Sequence, residues 1–399
     1  MRPPHTPPAK CRRLTASCPS IPEDILVTEV LARLPVRSLF RFRSVCQSWR
    51  AAIDGDPRFV CRHLELSRGR SPPSVLDAPC EPRLEDYLGV ARSKEMEFRR
   101  IRHGGVRHGG ETAAAVDAEL MHAVVWPTNR FTAMTHPVHC DGVVLVPTAS
   151  GELFVCNPAT RVLVQLPPGS PSVMADAVAF GFDPSSNTYK VARTFHRRFE
   201  VIEYDSESDD DGEGYPRAEF DIGHEVFTLG AGSSDWEPTE DPPHFIIPTA
   251  RPICTRGAFY WTAVVGCPDD PRPSELLRFC LRDETFTVVS PTLPRLHDTL
   301  TELGRKLCCA YACDPTCVDF LRPMGYSVLT LAADGDELLL SVDRRMLYKY
   351  NATSGALDEV VDMQRAPDHY GGRPPLPLRL VHHAVPYVES LVSISRRNY

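Results

Sequence analysis

No apolar run in this 399-residue chain approaches the roughly 18 residues of a membrane-spanning helix. The first twenty residues also lack the apolar stretch of a signal peptide. These two absences lead to the expectation of an intracellular protein, in the nucleus, the cytoplasm or both, with no membrane partner. Positive charge is short as well: 44 Lys and Arg stand against 52 Asp and Glu, a net charge of -8. That excludes a general polyanion binder, so no nucleic-acid partner is expected. Six of the carboxylates fall within residues 205–213, which leaves the rest of the chain near -2.

Catalytic signatures are missing too. There is no Gly-Lys-Ser/Thr phosphate loop, no Gly-x-Ser-x-Gly elbow and no His-Glu-x-x-His helix. Fourteen cysteines are present, but none forms the paired C-x2-C knuckles of a zinc site. The densest group, Cys308, Cys309, Cys313 and Cys317, has unsuitable spacing. His136 with His139 and Cys140, and His103 with His108 in a Gly-rich duplication, are equally poor as ligand sets. His382 and His383 are neighbours in a strand-like run, which would send their rings to opposite faces. The cysteines read as reduced thiols packed as small hydrophobes. No metal, no cofactor and no catalysis by this chain alone are expected.

What the chain has in excess is proline: 38 residues, nearly twice the usual share of about 5%, spread along its length. Long helices are thereby excluded beyond residue 65, and short segments separated by turns remain. Residues 1–18 combine proline with Lys10, Arg12 and Arg13 and carry too little apolar surface to fold, so a disordered basic tail is expected. From Ile21 the character changes. Pro22 suits a first helical turn, Glu23 and Asp24 suit the positive end of its dipole, and Leu26, Val27, Val30, Leu31 and Leu34 recur at spacings of three and four. Pro35 stops that helix. A second periodic stretch holds Leu39, Phe42, Cys46, Trp49 and Ile53, and residues 58–67 read as a last short helix. Five arginines and no carboxylate lie between Val30 and Ile53.

So small a unit cannot bury Leu26, Val30, Leu34, Leu39, Val45 and Trp49 internally, which predicts an apolar face that meets a partner. A DNA-reading helix-turn-helix is the structural alternative. The block Ile21-Pro22-Glu23-Asp24-Ile25-Leu26, then Val30-Leu31-Ala32-Arg33-Leu34-Pro35-Val36-Arg37-Ser38-Leu39, then Arg41-Phe42-Arg43-Ser44-Val45-Cys46-Gln47-Ser48-Trp49-Arg50 resembles an F-box. The resemblance implies docking on an acidic Skp-type adaptor, which links to a cullin and, through a RING protein, to a ubiquitin-conjugating enzyme. The adaptor contact it implies is Pro22, Ile25, Leu26, Leu34, Pro35, Val36 and Leu39, with Val45, Cys46 and Trp49 divided between contact and internal packing.

Residues 19–67 are thus the expected F-box, and 68–115 a linker with a candidate first strand at Pro72-Pro73-Ser74-Val75-Leu76. From 116 to 399 short strands dominate, interrupted by an acidic, disordered insertion at 205–214 where Ser206 and Ser208 are candidate phosphorylation sites. Hairpin turns near 158, 207, 283 and 353 recur at intervals that suit four-stranded propeller blades with inserted loops. The expected fold is a small all-α unit followed by a large all-β, propeller-like domain, with a β-sandwich as the alternative. Cys140-Asp141-Gly142, Asn157-Pro158, Phe182-Asp183-Pro184, Cys254-Thr255-Arg256-Gly257 and Pro386-Tyr387-Val388-Glu389-Ser390-Leu391 resemble, in order, the F-box-associated domain of plant F-box proteins. The two resemblances imply a non-catalytic subunit that chooses a target protein for a ubiquitin ligase and its degradation by the proteasome. A non-degradative interaction module and a propeller enzyme with a fused helical unit remain as alternatives.

Overall fold

The structure, a computed structural model, describes residues 21–70, 74–80, 95–102, 117–125, 134–202, 217–230, 234–248, 250–264, 274–290, 299–303, 306–310, 328–363 and 381–394. The basic tail, the acidic insertion with Ser206 and Ser208, His103, His108, Cys313 and Cys317 lie outside the described residues.

All described helices belong to the N-terminal unit. Helix α1 begins at Glu23–Ile25 behind Pro22 and runs on as a π turn, Leu26–Val30, and a 3-10 turn, Leu31–Arg33. Two acids, Glu23 and Asp24, occupy its first turn, where the helix dipole favours them. Pro35 separates it from α2, Val36–Phe42, and Cys46 precedes α3, Gln47–Gly55. Helix α4, Pro57–Arg68, has proline at its first position, and the Asp56 carboxylate accepts from the Arg58 amide at 2.8 Å, an N-cap that fixes where it starts. The second periodic stretch is therefore two helices, broken where Arg43 to Cys46 turn the chain.

The β region is a propeller. Blade 1 has the strand order Val381–Tyr387, Ser74–Cys80, Glu95–Arg102, Asp117–Val125, and blade 2 the order Val138–Cys140, Val143–Pro147, Leu153–Asn157, Val162–Gln165. Blade 3 runs Val178–Asp183, Thr188–Ile202, Arg217–Leu229, Glu237–Pro238. In blade 4, Ile253–Thr255 and Phe245–Ile246 both pair with Ala258–Val264, which is followed by Ser274–Cys280 and Phe286–Ser290. Blade 5 is Val328–Asp334, Glu337–Val342, Met346–Asn351, Leu357–Asp362. Besides these five blades, a two-stranded sheet, Thr299–Leu303 with Lys306–Ala310, has a sector of its own between blades 4 and 5.

The inner strands touch in a closed circuit: Val381–Tyr387, Val138–Cys140, Val178–Asp183, Ile253–Thr255, Thr299–Leu303, Val328–Asp334 and back to the first. Closure is made by pairing the last strand with Ser74–Cys80, from Ser74 opposite Tyr387 to Cys80 opposite Val381, so the two ends of the β region complete one blade together. The β region thus begins at Ser74, in the candidate first strand read at residues 72–76. The core lies between blades: Phe98, Met96 and Leu76 meet Phe154 and Val144, and Phe259, Trp261 and Phe279 meet Ala179 and Val226. Two resemblance motifs are tight turns. Asp141-Gly142 and Arg256-Gly257 each join paired strands through two residues at positive φ (53° and 85°, 52° and 71°), the conformation a two-residue hairpin needs. The cysteines whose side chains are described are free thiols, and burial pushes Cys254 up to about 12.

Candidate functional site

Six of the twelve exposed large hydrophobic side chains among the described residues fall within residues 21–45: Ile21, Ile25, Val30, Phe40, Phe42 and Val45. Such a concentration on one small unit marks a surface that another molecule covers. The Glu23 carboxylate accepts from the Ser48 hydroxyl and lies 3.9 Å from the Cys46 sulfur, which ties the start of α1 to the start of α3. Ile21 and Val45, each 58% exposed, stand on the two segments so joined. Phe42 adds an edge contact with Trp49, ring centres 5.9 Å apart. Arginines border this surface on α2 and α3, and the acids Glu23 and Asp24 at the start of α1: Asp54 serves two guanidiniums, Arg43 at 2.5 Å and Arg50 at 3.6 Å, and exposed Arg41 has no ion pair among the described residues. Surplus guanidinium beside exposed hydrocarbon suits an acidic partner with apolar anchors.

The expected contact residues separate by depth. Pro22, Ile25, Val45 and Cys46 are exposed, and Leu26, Leu34, Pro35 and Trp49 are half-buried. Val36 and Leu39 are not on the surface: both are 0% exposed and pack with Leu31, Ala32, Ile53, Phe59 and Leu391. The reason is their i, i+3 spacing on α2, whose inner side faces the propeller's C-terminal segment. They hold the unit together. Ile21, Val30, Phe40 and Phe42 are the exposed residues that the expectation omitted. The available signal was the apolar set 36, 39, 40 and 42 on one short helix, too wide for a single buried stripe.

A second feature is the joint between helices and propeller. Helix α2 starts at Val36 without a side-chain cap from its own loop, and the Val36 amide donates instead to Glu389, 353 residues away, at 2.8 Å. Glu389, 6% exposed, also accepts from Arg100 at 2.6 Å, and Arg100 in turn reaches Glu119 at 2.5 Å. Burial would raise the Glu119 carboxyl, but its bond to Arg100 and the charges of Arg100, Arg102 and Arg37 hold it below its ordinary value. The Arg68 guanidinium binds Asp141 at 3.1 and 2.5 Å, Arg70 donates to the Arg33 carbonyl at 2.6 Å, and the His63 ring meets the Leu34 carbonyl at 3.0 Å. Burial lowers the His63 pKa, so the ring is neutral and fits that dry position.

The motif residues of the β region sit at this joint. The Asn157 amide donates to the carbonyls of Ser390 and Val392 at 3.2 and 2.9 Å, and its oxygen accepts from Ala159 at 3.1 Å. The Ser390 hydroxyl donates to the Asp141 carbonyl at 2.5 Å. Leu391 enters the helical core, while Leu64 of α4 enters the core between blades 2 and 3 with Val143, Phe180, Val392 and Ile394. Glu389 and Arg100 escaped sequence reasoning, because nothing local marks a cap supplied from the far end of the chain.

Comparison with known proteins follows the same division. Residues 19–61 match the F-box domain and residues 114–312 match the F-box associated beta propeller domain. Among curated relatives, F-box protein At2g21930 of Arabidopsis thaliana is 24% identical over 280 residues, 67% of this chain and 60% of the relative. F-box protein At2g43440 of the same plant is 22% identical over 270 residues, 63% of this chain and 50% of the relative. The chain spans between 42% and 64% of the length of eight curated relatives that it matches. The order of helical unit and propeller, the motif residues at their joint and these matches agree: this chain is a plant F-box protein with an F-box-associated propeller domain.

Proposed function

We propose that this protein is the substrate-recognition subunit of an SCF-type ubiquitin ligase, with its F-box docked on a Skp-type adaptor and its propeller holding a target protein. Through the adaptor it would meet a cullin and a RING protein, and the target would be ubiquitinated and degraded. The reaction asks no acid, base or nucleophile of this chain. Holding target lysines near a charged ubiquitin-conjugating enzyme raises their effective concentration, which accelerates transfer by proximity alone. The observation that carries the reading is the exposed apolar surface of Ile21, Ile25, Phe42 and Val45 beside arginines in excess of their carboxylates. The rigid joint supports it, because proximity is useful only if the two binding modules keep a set geometry.

Co-purification of the full chain with adaptor and cullin tests the proposal. Ile25→Glu and Val45→Glu place charge on exposed positions, so each should change folding stability by no more than about 0.5 kcal/mol. Buried in an interface, each charge should weaken adaptor binding at least tenfold, or about 1.4 kcal/mol. Undiminished capture of adaptor and cullin by the double variant would overturn the docking assignment.

A further inference from the structure

Two guanidiniums and two imidazoles meet in the central space of the propeller. Arg251 lies two residues before the inner strand of blade 4, and its Nη1 donates to the Ala384 carbonyl, at 3.4 Å, in the inner strand of blade 1. In the circuit of six inner strands these two are three places apart in either direction. The Arg251 side chain therefore crosses the middle of the ring. Arg344 enters from the hairpin between the second and third strands of blade 5 and donates through Nη2 to His136 Nε2 at 2.5 Å. His136, just before the inner strand of blade 2, faces His383 of the closing strand with ring centres 6.3 Å apart. The Arg344 carbonyl accepts from the His382 amide at 2.8 Å, which fixes the hairpin against that strand.

Nothing among the described residues neutralises this centre. The one bonded partner of the Arg344 side chain is a neutral imidazole, and that of Arg251 is a carbonyl. No carboxylate among the described residues acts on Arg251, Arg344, His136 or His383; Asp77, on the strand paired with the closing strand, is bound to His382 at 2.9 Å. Burial, and then the charge of Arg344, push Arg251 down to about 10, so it stays protonated at neutral pH. Burial, then the charges of Arg344 and Arg251, push His136 down to about 4, and burial with the same two charges holds His383 well below its ordinary value. The centre therefore carries two positive charges and two neutral rings. His136 accepts at Nε2 and so carries its proton on Nδ1, free to donate, while His383 Nδ1 is buried with no hydrogen-bond partner.

Two buried like charges without a counter-charge are costly, and water can hydrate them but cannot remove their repulsion. One doubly charged oxyanion would match the charge, supply acceptors for two guanidinium forks and take the imidazole proton as well. A carboxylate would neutralise half the charge. We propose that the centre of the propeller is a binding site for a phosphate-class dianion, ligated by Arg251 and Arg344 with His136 and His383 as neutral hydrogen-bonding partners. The site stands independently of the adaptor reading, since none of its residues belongs to the helical unit.

Thermal unfolding of the full chain at constant ionic strength tests this, with inorganic phosphate against chloride. A saturable rise of about 3 °C is expected when phosphate reaches about 100 times its Kd. Arg251→Met and Arg344→Met should each abolish that rise while melting in chloride at or above the wild-type temperature, because each removes a repelling buried charge. Calorimetric titration of the wild type keeps the question decidable if a variant fails to fold. No saturable heat up to about 10 mM phosphate, or a full phosphate response in both variants, would overturn the site. Titration with an alanine-flanked phosphoserine tripeptide distinguishes the sources of the anion. Binding more than about tenfold tighter than inorganic phosphate supports the site with a phosphorylated protein as donor, and equal or weaker binding supports it with a free small anion.

Discussion

Glu389→Ala should loosen the helical unit from the propeller. The Glu389 carboxylate stands between the Val36 amide at 2.8 Å and the Arg100 guanidinium at 2.6 Å, with side-chain exposures of 4% for Glu389 and 6% for Arg100. Removing one member of a buried pair strands the other, at about 3–5 kcal/mol. Arg100 keeps Glu119 at 2.5 Å, which argues for the lower end of that range, and loss of the cap on α2 adds about 1 kcal/mol. The expected total is about 4 kcal/mol. It should appear as a rise of nearly a thousandfold in hydrogen exchange at the α2 amides, with the outer strands of blades 3 and 4 unchanged. Glu389→Gln, which keeps an acceptor for Val36 but loses the charge, should give roughly half that effect. In a double-mutant cycle Arg100→Ala and Glu389→Ala together should cost about 2 kcal/mol less than their sum. A single-variant effect below about 1 kcal/mol, or additivity within about 0.5 kcal/mol, would refute the idea that this pair holds the joint.

Gly142→Ala should act on the same joint from the other side. A Cβ there would collide with the Ser390 hydroxyl and come within 2.6 Å of the Val388 carbonyl, at a φ of 85°, so a loss of at least about 2 kcal/mol and faster exchange at residues 388–392 are expected. Asp183, 2% exposed, should make stability pH-dependent. Burial would raise its pKa, but the Ser185 and Ser186 hydroxyls, the Ser185 amide and Lys190 depress it to about 2. A depressed carboxyl stabilises the fold above its unfolded value near 4 and loses that contribution as pH falls through 2. Asp183→Asn should therefore cost about 2 kcal/mol at pH 7, by denaturant titration, and the difference should vanish toward pH 2.

Where structure depends on a residue's immediate neighbours, it was legible in the sequence. Pro22 marks a helix start and Pro35 a helix stop because a fixed φ and a missing amide act on the spot. Asp141-Gly142 and Arg256-Gly257 mark hairpins because a left-handed pair turns the chain in two residues. The second strand of the propeller was harder to see. Glu95–Arg102 carries five charges in eight residues and does not read as a strand, yet Arg99 pairs with Glu97 and Arg100 with Glu389 and Glu119, so the charges are spent inside the fold. Ring closure by Val381–Tyr387 on Ser74–Cys80 was hidden for a different reason, the separation of some 300 residues between partners. The same distance conceals the depth of Val36 and Leu39. Their burial depends on Leu391 and Glu389, and a helix wheel shows only that one side is apolar, never which apolar side the rest of the chain will cover.

That division of labour within the F-box bears on how the modules could cooperate. The joint uses the start of α2 and the inner side and last residue of α4: Val36, Leu64 and Arg68. The exposed apolar surface uses the start of α1 and the approach to α3: Ile21, Ile25 and Val45. Because the two sets share no residue, a partner can cover the second without competing for the first. The strained and close-packed elements, Asp141-Gly142 under Ser390 and Asn157 under residues 390–392, belong to the joint. Local strain of this kind persists only where surrounding contacts over-determine it. The motif residues at the joint, Asp141-Gly142, Asn157 and Ser390, are therefore explained by the packing of helices on propeller, and loops away from it can vary without disturbing how the two modules are held.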